Sequence, residues 1–210
     1  MKLSKTQTGI IVIILFHVVG LAGFYLHSFR PLFLRIVPFH LELMLLVVLI
    51  NHQKPDFKFV IFALMVYVLG FAGEWIGVHT QLLFGHYHYG RTLGPKLWAI
   101  PLTIGINWFL LVYGAGVLLQ RSRLKNVWIR ILVGTIILVA LDWLIEPIAM
   151  RFDYWNWVGG SVPLKNYIGW FIVSAVFLGV FEAFKFKRQS AVAPTLLITQ
   201  FIFFGLLHLV

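Results

Sequence analysis

Three carboxylates lie inside or at the ends of long apolar runs of this chain. Glu74, Asp142 and Glu146 are three of only seven acidic residues among 210. An ionised carboxylate in lipid costs about 3 kcal/mol or more, so such groups usually face a bundle interior or a cavity. Each of the three is therefore a candidate functional residue. Glu42, in another apolar run, is a further candidate for the interior, but no second motif surrounds it.

Asp142 and Glu146 belong to the segment Asp142-Trp143-Leu144-Ile145-Glu146-Pro147. Residues four apart on a helix project from the same face. Burial and mutual repulsion should then keep at least one of the two carboxyl groups protonated near neutral pH. A neutral acid is what general-acid catalysis requires. The alternative is a structural pair that is hydrogen-bonded to neighbouring helices.

Glu74 lies about one turn before the expected end of its apolar run, and His79 follows it. We expect Glu74, with His79, to position or deprotonate a reacting water molecule. The alternative is an end-of-helix carboxylate that pairs with Arg91 or Lys96.

The connector after this run contains His86 and His88, and a His-x-His pair can bind metal. Ordinary hydrogen-bonding histidines are the favoured interpretation, and we expect no metal. Other polar and aromatic residues nearby could line a slot for a long apolar ligand, while some of the aromatic rings also fit a belt at the membrane interface. The candidate substrate-binding residues are Trp75, His86, Tyr87, His88, Tyr89, Trp98, Asn107, Trp108, Trp143, Trp155 and Asn166.

The composition indicates an integral membrane protein. Hydrophobic residues make up 60% of the chain and charged residues 11%, whereas soluble domains carry about 25% charged residues. A single transmembrane helical domain over residues 1–210 is expected. The net charge of +10 resides in short connectors, where it sets orientation and meets anionic lipid, so we expect membrane lipid and no nucleic acid as a partner. The absence of cysteine excludes disulfides and thiolate chemistry.

Seven apolar stretches approach the roughly 20 residues that a transmembrane helix needs. Eleven Lys and Arg residues fall on one side of this arrangement and six on the other, which predicts a multi-pass protein of the cell membrane with a cytoplasmic N-terminus. The last stretch is the shortest. The predicted spans are Thr8–His27, Leu32–Ile50, Phe57–Val78, Leu97–Leu119, Val127–Met150, Tyr167–Phe184 and Pro194–Val210.

An ordered set of motifs between Gly73 and Trp170 resembles a membrane carotenoid biosynthesis family. This family includes bacterial carotenoid 1',2'-hydratases and haloarchaeal bisanhydrobacterioruberin hydratase. As an ordered set the motifs are specific, whereas each one alone is weak. They are Gly73-Glu74-Trp75-Ile76-Gly77, Phe84-Gly85-His86-Tyr87-His88-Tyr89, Leu93-Gly94-Pro95-Lys96-Leu97-Trp98, Asn107-Trp108-Phe109, Asp142-Trp143, Glu146-Pro147, Asp153-Tyr154-Trp155, Val162-Pro163-Leu164 and Asn166-Tyr167-Ile168-Gly169-Trp170.

The resemblance implies addition of water to the terminal 1',2' double bond of an acyclic carotenoid such as γ-carotene or lycopene, without a redox cofactor. In that reading Asp142 or Glu146 donates the proton, Glu74 with His79 handles the water, and Asp153 helps to complete the outer mouth of the site. Two alternatives stay open at this point. One is a lycopene-cyclase-like enzyme, in which an internal double bond captures the cation, and the other is a non-catalytic carotenoid-binding protein.

Overall fold

The computed structural model describes residues 3–210, which form helices and short strands joined by turns and loops. The strands lie in the two long connectors, between Thr80 and Thr103 and between Arg151 and Leu164. In chain order the elements are α1 (Lys5–Tyr25), α2 (Arg30–Asn51), α3 (Phe57–Thr80), β1 (Tyr87–Tyr89), β2 (Lys96–Leu97), β3 (Ile100–Pro101), α4 (Thr103–Gln120), α5 (Val127–Arg151), β4 (Trp155–Trp157), α6 (Leu164–Phe184) and α7 (Val192–Leu207).

The helix lengths confirm an all-α integral membrane protein. Helices α1 to α6 are each long and apolar enough to cross a membrane. Helix α7 has 16 residues, or about 24 Å of helix, against a hydrocarbon thickness of about 30 Å. Six of the seven predicted spans therefore meet the length of a full crossing, and α7 does not.

Helix α4 is the centre of the bundle. In its most apolar stretch 78% of the residues are buried, whereas the buried share in the corresponding stretch of any other spanning helix is at most 44%. The outer faces of the surrounding helices are rich in exposed leucine, isoleucine, valine and phenylalanine side chains. In a bilayer such faces contact lipid. Most of α4 is thus shielded from both lipid and water.

The predicted start of α4 at Leu97 is wrong by six residues. Lys96 and Leu97 pair with Pro101 and Ile100 in a tight antiparallel hairpin, and α4 begins only at Thr103. The two turn residues, Trp98 and Ala99, have φ values of 48° and 68°. Two consecutive positive φ values are typical of a type I′ turn, which matches the twist of the flanking strands.

A second ribbon covers the predicted outer end of the bundle. Strand β1 pairs antiparallel with β4, so that Tyr87 lies opposite Trp157 and Tyr89 opposite Trp155. Successive side chains of a strand point to opposite faces. Tyr87 and Tyr89 are accordingly buried, while His88 between them is exposed. The ribbon brings aromatic side chains from two distant connectors onto the same surface of the bundle.

Glu42 does not belong to the interior, and the expectation of a fourth core acid is wrong. It lies on the exposed side of α2, while Met44 and Val48 face the core. Helix α2 packs mainly on α1 and α4, and Glu42 lies on the opposite face. The interior acids described below come from α3 and α5.

Replacing Gly70 by alanine should weaken the contact between α3 and α4. A Cβ atom at Gly70 would lie 2.7 Å from Cβ of Trp108, which is closer than real side chains approach. Such overpacking costs about 1–3 kcal/mol. Gly73→Ala is the matched control, because a Cβ there meets nothing within 4 Å. Thermal unfolding in detergent should show a lower midpoint for Gly70→Ala only, and equal midpoints would contradict the packing described here.

Candidate active site

Glu74 of α3 is buried and accepts three hydrogen bonds. Tyr87 and Tyr89 donate their hydroxyls to Oε2 at 2.6 and 2.7 Å, and Trp108 donates Nε1 to Oε1 at 2.9 Å. The side chain is only 4% exposed. Two aromatic residues of β1 and one of α4 thus solvate this carboxylate in place of water. Hydrogen bonds to a charged group are stronger than neutral ones, which suits a buried carboxylate.

The hydroxyl groups around Glu74 act as donors rather than as acids. Burial, and after it the negative charge of Glu74, raises the pKa of Tyr87 and of Tyr89 well above the ordinary tyrosine value. Both phenols therefore keep their protons at physiological pH. Gly77 makes this arrangement possible, because a Cβ there would lie 2.8 Å from the Tyr87 hydroxyl.

Asp142 and Glu146 of α5 are joined by one amide. Nδ2 of Asn166, on α6, donates to Oδ2 of Asp142 at 2.8 Å and to Oε1 of Glu146 at 2.9 Å. The indole nitrogens of Trp155 and Trp157 donate to Oε2 of Glu146 at 2.9 and 2.7 Å. The spacing of four residues on α5 does place both acids on one face, as predicted.

The two acids of this pair differ in their surroundings. Glu146 accepts three hydrogen bonds from the ribbon and α6, whereas Asp142 accepts one. Oδ1 of Asp142 is buried and has no partner within residues 3–210. Asp142 is thus the less solvated of the two.

A small cavity lies between Glu74 and Glu146. It has about 20 Å³ of space for a water-sized molecule, and one water needs about 10–15 Å³ on this measure. It therefore has room for one water molecule beside two carboxylates. Asp142 does not line it. The lining residues are Glu74, Phe84, Tyr87, Tyr89, Ile104, Asn107, Trp108, Glu146, Trp155, Trp157, Asn166 and Trp170.

A larger, mainly apolar cavity of about 350 Å³ adjoins the small one. Ile104, Asn107 and Trp155 line both. At its other side the large cavity reaches Phe16 of α1 and Phe39 of α2, whose side chains are exposed on the bundle surface. The two adjoining cavities thus lie between the lipid-facing surface and the carboxylates.

Asn107 lies where the two cavities meet. Within residues 3–210 its side-chain amide makes no hydrogen bond, unlike that of Asn166. A free amide at this junction can both donate and accept.

The structure does not bring His79 and Asp153 into this site. His79 lies five residues after Glu74 on α3, which places it about 140° around the helix from that acid. It is therefore exposed, and its ring stacks on that of Trp75. Asp153 is exposed in the connector, where it accepts hydrogen bonds from the Arg91 backbone and from Asn156. Asp153 therefore holds the two connectors together at a distance from the buried acids.

Several predicted substrate-binding residues also lie outside both cavities. His86 and His88 are exposed, on or beside the outward face of β1. Within residues 3–210 no group of three or more His, Asp or Glu side chains is arranged to hold a metal ion. Trp75 and Trp143 follow inward-facing acids in the sequence and therefore project about 100° away, towards the exposed surface, and Trp98 is exposed at its hairpin turn.

The alternative ion pairing of Glu74 is not found within residues 3–210. Neither Arg91 nor Lys96 reaches it, and Lys96 donates instead to the carbonyl of Tyr89 at 2.6 Å. Glu74 is thus an interior acid rather than a surface end residue.

Sequence reasoning missed several lining residues. Trp170 lines the small cavity and stacks on Trp108 with ring centroids 4.4 Å apart. His17, His40 and Gln200 line the large cavity. These three residues could have been found from the sequence, because each is a polar residue inside an apolar helix.

The fold and the buried acids define a multi-pass membrane protein with a polar internal site. The family model of the carotenoid biosynthesis proteins matches residues 25–210, so the chain belongs to the carotenoid biosynthesis protein family. The predicted family is thereby confirmed. No curated protein and no solved structure matches the chain.

Replacing Tyr89 by phenylalanine should destabilise the protein. It removes one of the three donors to Glu74, and leaving a buried carboxylate less satisfied costs about 1–3 kcal/mol. Tyr25→Phe is the matched control, because Tyr25 is 64% exposed. The free energy of unfolding, measured in detergent, should fall for Tyr89→Phe only. Equal values for the two variants would argue against Glu74 as a carboxylate solvated by the ribbon.

Proposed function

We propose that the protein is a carotenoid hydratase. It adds water across the terminal 1',2' double bond of an acyclic carotenoid end group and yields a 1'-hydroxy carotenoid. The observation that carries this proposal is the water-sized cavity between Glu74 and Glu146, which adjoins an apolar cavity reaching the lipid-facing surface. The carotenoid biosynthesis family supports a substrate of this class.

The reaction needs an acid that protonates carbon C2'. Asp142 and Glu146 are buried and share one Asn166 amide, so two negative charges there would repel each other. We therefore assign one proton to the pair in its resting state. Glu146 delivers it, because Glu146 lines the small cavity and Asp142 does not. The π electrons of the double bond form the new C2'–H bond, which leaves a tertiary cation at C1'.

Glu74 serves as the base for the water. Its two oxygens accept three hydrogen bonds, which offset part of the cost of burying a negative charge. Water in the small cavity attacks C1', the C1'–O bond forms, and Glu74 takes the released proton. A proton then passes from Glu74 back to the Asp142–Glu146 pair, so that the cycle adds one water in total and consumes no other reactant. Asn107, at the junction of the cavities, orients the water or the incoming chain end.

Aromatic rings around the junction stabilise the cation. Trp155 lines both cavities, and Tyr154 lines the large one. Ring faces attract positive charge, and more strongly when water is excluded. The indole nitrogen of Trp155 donates to Glu146, so the same residue links the proton donor to the surroundings of the cation.

Entry from the bilayer fits a substrate that dissolves only in membrane. Phe16, Val19 and Phe39 are exposed residues that line the large cavity. A polyene in the bilayer can therefore insert its end group sideways between α1 and α2. This route supports a membrane location with lipid as the immediate surroundings, and the membrane that we propose is the cell membrane.

Single replacements of Glu74→Gln, Asp142→Asn and Glu146→Gln should each lower hydration at least about 100-fold, because each removes a proton-transfer group or its partner. Glu42→Gln is the matched control, since Glu42 is an exposed membrane-helix acid. The measurement is the mass of pigments extracted from cells that make lycopene or γ-carotene and express each variant. Hydration adds the mass of one water molecule.

The same experiment distinguishes the other functions. A cyclase would change the pigment without changing its mass, and a binding protein would leave it unchanged. Either result with the unaltered chain would overturn the hydratase assignment. Full hydration by all three acid variants, with membrane insertion confirmed, would overturn the roles of the acids.

A further inference from the structure

A second polar cluster lies inside the large cavity, apart from the acids. His17 of α1, His40 of α2 and Gln200 of α7 line the cavity from three different helices, and we call them the midspan cluster. Each lies well away from the ends of its helix. The rings of His17 and His40 meet edge to face, with centroids 4.7 Å apart. The proposed hydration uses none of these residues.

The midspan cluster has unused hydrogen-bonding capacity. Nδ1 of His17 lies 2.7 Å from the carbonyl of Ile13, and a carbonyl can only accept, so Nδ1 carries the hydrogen. In the neutral ring Nε2 is then a free acceptor. Gln200 is 7% exposed, and its Oε1 is buried without a partner within residues 3–210. Unpaired polar groups are costly at such sites, so these residues are suited to a polar group of a ligand.

We propose that the midspan cluster binds a hydroxyl group of an isoprenoid ligand. A hydroxyl donates one hydrogen bond and accepts others. It can donate to either free acceptor of the cluster, Nε2 of His17 or Oε1 of Gln200, and its oxygen can accept from the amide nitrogen of Gln200. His40 lies against His17 and supplies a further nitrogen. The rest of the lining is largely aromatic and aliphatic and holds the hydrocarbon chain.

This inference extends the proposed function, on which its isoprenoid ligand rests. A few polar groups in an apolar pocket fix orientation and give specificity. The cluster would select chains that already carry a hydroxyl at some distance from the reacting double bond. Such a chain would come from a reaction that hydroxylates the isoprenoid before the step catalysed here, and it would be bound in preference to unhydroxylated lycopene or γ-carotene.

The test compares the binding of geranylgeraniol, an isoprenoid alcohol, with that of its hydrocarbon analogue without the hydroxyl. Purified full-length protein in detergent is titrated with each, and bound ligand is quantified by mass spectrometry. The unaltered protein should bind the alcohol about 10-fold more tightly, the value of one well-made hydrogen bond. His17→Phe and Gln200→Leu should each lose this preference and keep the affinity for the hydrocarbon. His27→Phe, at an exposed histidine, should keep both.

Equal affinity of the unaltered protein for the two ligands, or binding of neither, would overturn the inference. So would a preference that survives in both His17→Phe and Gln200→Leu. If thermal unfolding shows that His17→Phe or Gln200→Leu does not fold, the ligand preference is compared in the remaining one of these two variants and in His40→Leu. A preference for the alcohol without any hydration activity would support this inference and count against the proposed function. Hydration activity without that preference would support the proposed function and count against this inference.

Discussion

The structure depends on the need to solvate buried carboxylates without water. Glu74, Asp142 and Glu146 lie in the bundle, and seven donated hydrogen bonds reach them. The donors come from three places: the outer ribbon, α4 and α6. Removing acids from water is costly unless such partners replace it. The ribbon is therefore part of the site as well as a cover, because without it Glu74 and Glu146 would each lose two donors.

Two adjoining cavities lie beside these acids. Donors that surround the acids on several sides leave a gap of about 20 Å³ between Glu74 and Glu146. On the lipid side, α1, α2, α4 and α7 enclose a larger apolar space, and Asn107 stands between the two. The two cavities thus offer adjacent places to an apolar chain end and a water molecule.

Much of the fold and part of the site could be predicted from the sequence. Runs of about 20 apolar residues indicate membrane helices because lipid requires them, and the cost of charge in lipid indicated that Glu74, Asp142 and Glu146 face inwards. Glu42 shows the limit of that argument, since the sequence does not tell which side of α2 faces the core. The start of α4 was misplaced because Lys96–Pro101 is as apolar as a helix but turns as a hairpin.

The partners of the acids could not be predicted. Tyr87 and His88 alternate between two faces, but both are polar aromatic residues, so their pattern does not reveal which one is buried. The answer depends on pairing between β1 and β4, which are far apart in the chain. His79 appeared suitable because it is near Glu74 in sequence, whereas Trp108 and Asn166 reach the acids from other helices. Each helix of this chain is apolar on nearly all sides, so the sequence has no periodic pattern that shows which side chains contact another helix.

Hydration in the carboxylate-lined cavity is tested most directly by measuring whether the oxygen atom of the product comes from water. Membranes containing the protein and an acyclic carotenoid are incubated in water enriched in oxygen-18, under ordinary dioxygen. The account predicts a hydroxylated pigment that carries one oxygen-18 atom, and no such pigment when Glu74→Gln replaces the unaltered chain. A hydroxyl that carries the dioxygen isotope, or a labelled product that forms equally well with Glu74→Gln, would contradict it.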